Sequence, residues 1–201
     1  MTIDGAIVIT VLRHGECAGR NAVFRGRTDD PLSAKGWAQM RGVAAHLPPF
    51  DSISSSPLLR CREFAAEFAA ARGLPLRVEE GFRERDFGAW ECLSADEVAA
   101  RFPTHGDPRQ NPYANAPEGG EAYADFRARV EQVWAEWTAR LAPGQHLLVA
   151  HAGIMRALLV HLLGLPPDNL YRLNLPKAGH FTVSLLAGHA PVLLALNGCA
   201  D

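Results

Sequence analysis

The chain has 201 residues, 48% of them hydrophobic and 21% charged, with a formal net charge of -2. That length supports one sizeable core, and the slight acidity excludes both the basic footprint of a nucleic-acid binder and the polybasic patch of a membrane-surface protein. No apolar run could span a bilayer, no basic, apolar leader opens the chain, and Cys17, Cys61, Cys92 and Cys199 form no C-x-x-C pair, so a cytoplasmic protein with reduced thiols is expected.

The first predicted element is the run Ile7-Val8-Ile9-Thr10-Val11-Leu12. It is apolar and β-branched, which suits a strand buried on both faces in the middle of a sheet. It runs directly into Arg13-His14-Gly15-Glu16. Unpaired charge is costly to bury, so the strand must reach its C-terminal edge at Arg13. In open α/β sheets ligands sit at that edge. Gly15 is expected to let a ligand approach the backbone. A guanidinium beside a neutral imidazole suits a phosphate, because the first supplies a fork of donors and the second a nucleophilic nitrogen. Taken alone, the stretch fits a strand end with a capping histidine equally well.

An irregular polar segment follows, from Cys17 to Pro31. Ser33 is predicted to cap a helix running to about Leu47, with Trp37, Met40, Val43, Ala44 and Leu47 on its apolar face. Pro48-Pro49 stops it. Asp51 to Ser55 reads as a short strand, a helix follows from Pro57 to Arg72, and Leu74 to Val78 reads as another strand. This alternation predicts a three-layer α/β/α sandwich around a mostly parallel sheet. Ser94 is predicted to cap a short helix ending near Phe102. Pro103 to Gly120 is rich in Pro, Gly and Asn, and loops of that length are usually functional. Residues 89 to 120 are therefore expected to form a substrate-rim insertion within a single domain, residues 1 to 201. Tyr113 is the loop's one aromatic, more readily an exposed tyrosine than a stacking platform.

A long amphipathic helix is predicted through Phe126, Val130, Val133, Trp134, Trp137 and Leu141, its aromatic stripe facing the core. His146 to Ala150 repeats the opening theme, an apolar strand running into His151-Ala152-Gly153 and then a helix from Ile154 to Leu163. Phe181 to Leu186 and Val192 to Leu196, joined through Gly188, predict a hairpin that makes the sheet's edge antiparallel. Parallel strands end on one side, so His14 and His151 can face one pocket. The strand ending at Ser55 brings Arg60 to the same side, and a helix N-terminus favours an anion there.

With those residues in view, the sequence resembles the histidine phosphatase superfamily, the phosphoglycerate-mutase-like proteins. The matching pieces are Leu12-Arg13-His14-Gly15-Glu16, Thr28-Asp29-Asp30-Pro31-Leu32-Ser33 and Ser54-Ser55-Ser56-Pro57-Leu58-Leu59-Arg60-Cys61. Arg83-Glu84-Arg85-Asp86-Phe87-Gly88-Ala89-Trp90-Glu91, Gly120-Glu121 and Val149-Ala150-His151-Ala152-Gly153 continue the series in order. The resemblance implies that His14 attacks phosphorus and carries the phosphoryl group. It implies that Arg13, Arg60 and His151 bind the equatorial oxygens, and that Glu84 protonates the leaving oxygen and then helps activate water. Asn21 and the Ala152 amide would add phosphate contacts. No metal or other cofactor is expected, since guanidiniums supply the positive charge. Within the family, the short Trp90 to Gly120 segment favours a hydrolase over a phosphoglycerate mutase.

The length and the closing pattern Leu193 to Asn197 look most like α-ribazole-5′-phosphate phosphatases, with a broad-specificity sugar-phosphate phosphatase close behind. A small phosphomonoester is the expected partner, with no nucleic acid and no membrane. The rival of another class, a non-catalytic phospho-ligand binding module, is disfavoured because every catalytic residue type is present. Three departures stand out: Cys17 where a Ser or Thr is frequent, Asn21 seven rather than six residues after the histidine, and Ala152 in place of a frequent Gly. His46, His105, His161, His180 and His189 lack metal-ligand spacing and read as structural or exposed. Glu16 is expected to pair with a nearby arginine.

Overall fold

The computed structural model describes residues 5 to 105 and 116 to 197. Its strands are β1 (Ile7–Arg13), β2 (Ser52–Ser55), β3 (Leu76–Val78), β4 (Gly144–Ala150), β5 (His180–Leu185) and β6 (Val192–Asn197). Its helices are α1 (Ala34–Ala44), α2 (Leu59–Ala70), α3 (Ala95–Arg101), α4 (Tyr123–Thr138) and α5 (Ala152–Leu162). The strand order is β3-β2-β4-β1-β5-β6. The first four run parallel, β5 lies antiparallel to β1, and β6 antiparallel to β5. The expected mostly parallel sheet with an antiparallel edge is what forms.

Alternation along the central strands divides the core into two layers. Ile9, Val11, Leu148 and Ala150 face one side, where α4 and α5 cover them. Leu12, Leu147 and Val149 face the other, packed by α1 and α2. α5 carries buried residues almost all round: Ile154, Met155, Ala157, Leu158, Leu159 and Val160. Each fully buried large aliphatic side chain is worth about 1.5–3 kcal/mol, so α5 is pinned to the sheet, and its N-terminus with it. Trp137 is buried edge-on to Phe82 at 5.6 Å, and its indole N–H donates to Ser54 Oγ at 3.0 Å. That bond satisfies the one polar group a buried tryptophan carries.

The element ends differ from the sequence expectation by a few residues. α1 stops at Ala44 rather than near Leu47, and β3 keeps only Leu76–Val78. α5 begins at Ala152, two residues before the expected Ile154, with His151 as its N-cap. Ser33 caps α1 as expected, accepting from the Gly36 amide, and Ser94 with Glu97 forms a full capping box on α3. A six-residue 3-10 helix at Pro167–Arg172 had no periodic signal. Among the described residues no helix is long and apolar enough to cross a membrane.

Candidate active site

β1 delivers His14 to the sheet edge, where its backbone N–H still bonds Ala150 O of β4 at 3.1 Å. The ring is buried, and its Nδ1 lies 2.8 Å from Gly15 O. A carbonyl only accepts, so Nδ1 carries the proton and Nε2 keeps the lone pair. Burial holds the His14 pKa well below its usual value, and the charges of Lys177, His151, Arg60 and Arg13 push the same way. The imidazole is therefore neutral at pH 7, as a nucleophile must be. The His151 ring stands 5.3 Å away, edge-on at 63°. Gly15 serves a different purpose from the one its sequence suggested. A Cβ there would meet Gly36 O at 2.4 Å, and a Cβ at Gly36 would meet Glu16 O at 1.9 Å. The two glycines let the first turn of α1 press on the backbone after β1; no ligand approach is needed to explain them.

Arg13 donates through Nη1 to Leu175 O, just before β5. Arg60, wholly buried on α2, spends its terminal nitrogens on carbonyls of the segment that crosses above it. Nη1 donates to Thr28 O at 2.7 Å, and Nη2 to Gly26 O at 2.8 Å and Arg25 O at 3.2 Å. The amides of that segment turn the other way, onto one carboxylate. Glu91 accepts from Gly26 N, Arg27 N, Thr28 N and Thr28 Oγ1 at 2.5–3.2 Å. A loop with its carbonyls on a guanidinium and its amides on a carboxylate is held rigidly. The Nε atoms of Arg13 and Arg60 are left buried without an acceptor among the described residues. Buried charged donors without partners are rare, and an oxyanion would satisfy them. Burial, followed by repulsion from Arg156, lowers the Arg13 pKa to about 10, which leaves it a cation at pH 7.

His151 is also wholly buried, and its Nε2 lies 2.7 Å from Ser56 Oγ. Burial and the neighbouring cations, Arg60 first, hold its pKa well below the usual value, so it too is neutral. Ser56 Oγ also accepts from Leu58 N at 3.3 Å, and Cys61 Sγ lies 3.7 Å from both nitrogens of the His151 ring, so the ring is held between a hydroxyl and a thiol. Glu84 reaches the same place from the segment after β3. Its Oε2 accepts from Gly153 N at 2.9 Å and its Oε1 from Arg85 N at 2.9 Å. A Cβ on residue 153 would lie 2.2 Å from Glu84 Oε1, so the carboxylate can sit on the α5 N-terminus only because residue 153 is glycine.

These groups border a cavity of about 230 Å³. His14, Arg13, Glu84, Ala152, Gly153 and Asn21 line it, while Arg60 and His151 lie deeper. Its lining also carries five aromatic residues, Phe24, Phe87, Tyr123, Phe126 and Tyr171. Lys177 and Arg156 also line it, and neither stands in a motif singled out from the sequence. Tyr113 lies outside the described residues, and the described parts of Pro103–Gly120 do not line the cavity. Cys17 Sγ sits 3.5 Å from His14 Nδ1, buried beside the ring. Glu16 pairs with Lys35 at 3.5 Å and accepts from Ser33 Oγ at 3.2 Å, rather than pairing with an arginine. Among the described residues no group of three or more His, Cys, Asp or Glu could hold a metal ion.

The model of the histidine phosphatase superfamily (branch 1) matches residues 9–198. The adenosylcobalamin/alpha-ribazole phosphatase of Escherichia coli K12 is 28% identical over 175 residues, covering 83% of this chain and 84% of that protein. A 2,3-bisphosphoglycerate-dependent phosphoglycerate mutase of Methylobacterium radiotolerans is 32% identical over 188 residues, 84% of this chain and 87% of that protein. Other relatives, from mycobacteria, are longer, and the chain spans 53% of their length. The structure of mycobacterial glucosyl-3-phosphoglycerate phosphatase Rv2419c superposes with a TM-score of 0.85 at 28% identity, covering 96% of this chain and 99% of that one. Matched over nearly its whole length in sequence and in backbone, the chain belongs to the histidine phosphatase superfamily.

Proposed function

We propose that the protein is a metal-independent phosphomonoesterase that works through a phosphohistidine at His14. The observation that carries this is the convergence of a neutral His14, the unsatisfied Nε donor of Arg13 and the Glu84 carboxylate around one cavity, with the unsatisfied Nε of Arg60 buried behind them. His14 Nε2 attacks phosphorus, an N–P bond forms, and the P–O bond to the alcohol breaks. Arg13, Arg60 and His151 offset the charge that gathers on the equatorial oxygens. Glu84 enters this step as the carboxylic acid, gives the departing alkoxide its proton and becomes the carboxylate. Water then attacks the phosphohistidine, Glu84 takes a proton from it, and inorganic phosphate leaves with His14 neutral again.

The alcohol we favour is α-ribazole, whose aromatic base would lie among Phe24, Phe87, Tyr123, Phe126 and Tyr171. The name of the Escherichia coli relative supports the same choice. The unpaired thiols of Cys17, Cys61 and Cys92 support a cytoplasmic setting. The test is phosphate release, in EDTA, from a panel of phosphomonoesters that includes α-ribazole 5′-phosphate, sugar phosphates and 3-phosphoglycerate. The preferred substrate is expected to reach a kcat/KM of roughly 10⁴ M⁻¹s⁻¹ or more. Rapid isomer exchange of 3-phosphoglycerate with 2,3-bisphosphoglycerate, with negligible phosphate release, would make the protein a mutase instead.

A further inference from the structure

We infer that Lys177 is a third cationic ligand of the transferring phosphoryl group, beside Arg13 and Arg60; this rests on the phosphoryl site proposed above. Lys177 lies in the segment that leads into β5, and that segment is bolted to the two residues at the end of β1. Arg13 N donates to Gly179 O at 2.9 Å, Arg13 Nη1 donates to Leu175 O, and Ala178 N donates to His14 O at 3.3 Å. Ala178 is fully buried with a φ of 56°, a left-handed conformation that an alanine holds only when its surroundings impose it. The backbone on both sides of Lys177 is therefore fixed relative to the nucleophile.

Lys177 lines the cavity together with His14 and Arg13. Of the charges acting on His14, that of Lys177 is the strongest, ahead of those of Arg60 and Arg13. The ammonium is only partly exposed, and it makes no hydrogen bond or ion pair with a described residue. The groups around it are mostly of its own sign: Arg13 from β1, Arg25 from the loop after it, and Arg60 from α2, with the Cys17 thiol the one opposing influence among the strongest. A cation packed among cations has no reason to stay unless an anion joins them. The phosphoryl group is the anion that His14, Arg13 and Arg60 share. Lysine is also rare here, since Lys35 and Lys177 are the only two in the chain.

Burial and repulsion from Arg13 lower the Lys177 pKa to about 8. The protonated form attracts the anion, so affinity is present below pH 8 and is lost as pH rises through it. A bound dianion favours the protonated lysine, so the loss appears in kcat/KM, which reports the free enzyme, before it appears in kcat.

The experiment measures binding of inorganic phosphate by calorimetry, and kcat/KM against pH, for wild type, Lys177→Met and Lys177→Arg. Lys177→Met is expected to raise the phosphate Kd by about 10- to 100-fold, the range for a hydrogen bond to a charged group. It is expected to lower kcat/KM by a common factor for esters of different alcohols and to remove the limb near pH 8. Lys177→Arg is expected to recover most of the binding and to shift that limb upward. An unchanged phosphate Kd in Lys177→Met, or a loss confined to substrates whose alcohol bears a second anion, would overturn the assignment. Phosphate binding is read without turnover, so a wild type that binds phosphate yet hydrolyses no ester counts against the phosphatase and leaves the lysine result standing.

Discussion

Single residues decide the chemistry by excluding or admitting an atom. Glu84 rests on the α5 N-terminus because residue 153 has no side chain. In Gly153→Ala the new methyl meets the end of a movable carboxylate, so the carboxylate gives way and the helix stays. Alanine is also the better helix former by about 1 kcal/mol, so stability is expected to hold or rise slightly. The carboxyl proposed as proton donor is displaced, however, and kcat for an alkyl phosphate is expected to fall by roughly 10²-fold or more, with a smaller loss for a nitrophenyl ester whose leaving group needs little protonation. Steady-state kinetics beside a thermal melt check both halves; an unchanged kcat would show that Glu84 does not act from this position. The sequence already pointed to His14, Arg13, Arg60, Glu84 and His151, because each sits in an ordered motif. Lys177 was not legible, and Ser56, although inside the quoted Ser54–Cys61 run, carried no sign of its contact with His151. Ser56 matters through a hydrogen bond to a residue 95 positions away, and Lys177 stands in a run with no periodicity at all.

At the scale of elements, α1 shows how close packing sets the site's edge. Gly36 in its first turn would drive a Cβ to 1.9 Å from Glu16 O, a backbone atom that cannot step aside. Gly42, on the same helix, has nothing within 4 Å of the same atom. Gly36→Ala is expected to cost about 1–3 kcal/mol through overpacking, whereas Gly42→Ala is expected to gain about 0.5–1 kcal/mol from helix propensity alone. Denaturant midpoints of the two variants separate the effects, and a Gly36→Ala variant as stable as wild type would mean that α1 does not press on the β1 end. The element types were readable from the period of apolar residues and from caps such as Ser33 and Ser94. The ends were less so. The apolar period runs on to Leu47 although α1 ends at Ala44, and β3 starts only at Leu76, after Pro75, which has no N–H to give a ladder.

At the scale of the whole molecule, topology gathers the site from distant parts of the chain. The parallel strands β1, β2 and β4 end on one side and deliver His14, Arg60 and His151, an outcome the alternating strand–helix pattern already implied. The antiparallel return of β5 beside β1 was predicted only as an edge hairpin, yet it is what carries Lys177 back to His14. The assembled site stands on one chemical event, transfer of the phosphoryl group to His14. Rapid-quench labelling with a ³²P-phosphomonoester tests it most directly, using wild type and Glu84→Gln, in which slow dephosphorylation lets the intermediate accumulate. The label is expected to be acid-labile and base-stable, as a phosphoramidate is, and to map to the peptide containing His14. Label on Cys17, or turnover without any labelled protein in either form, would contradict the mechanism.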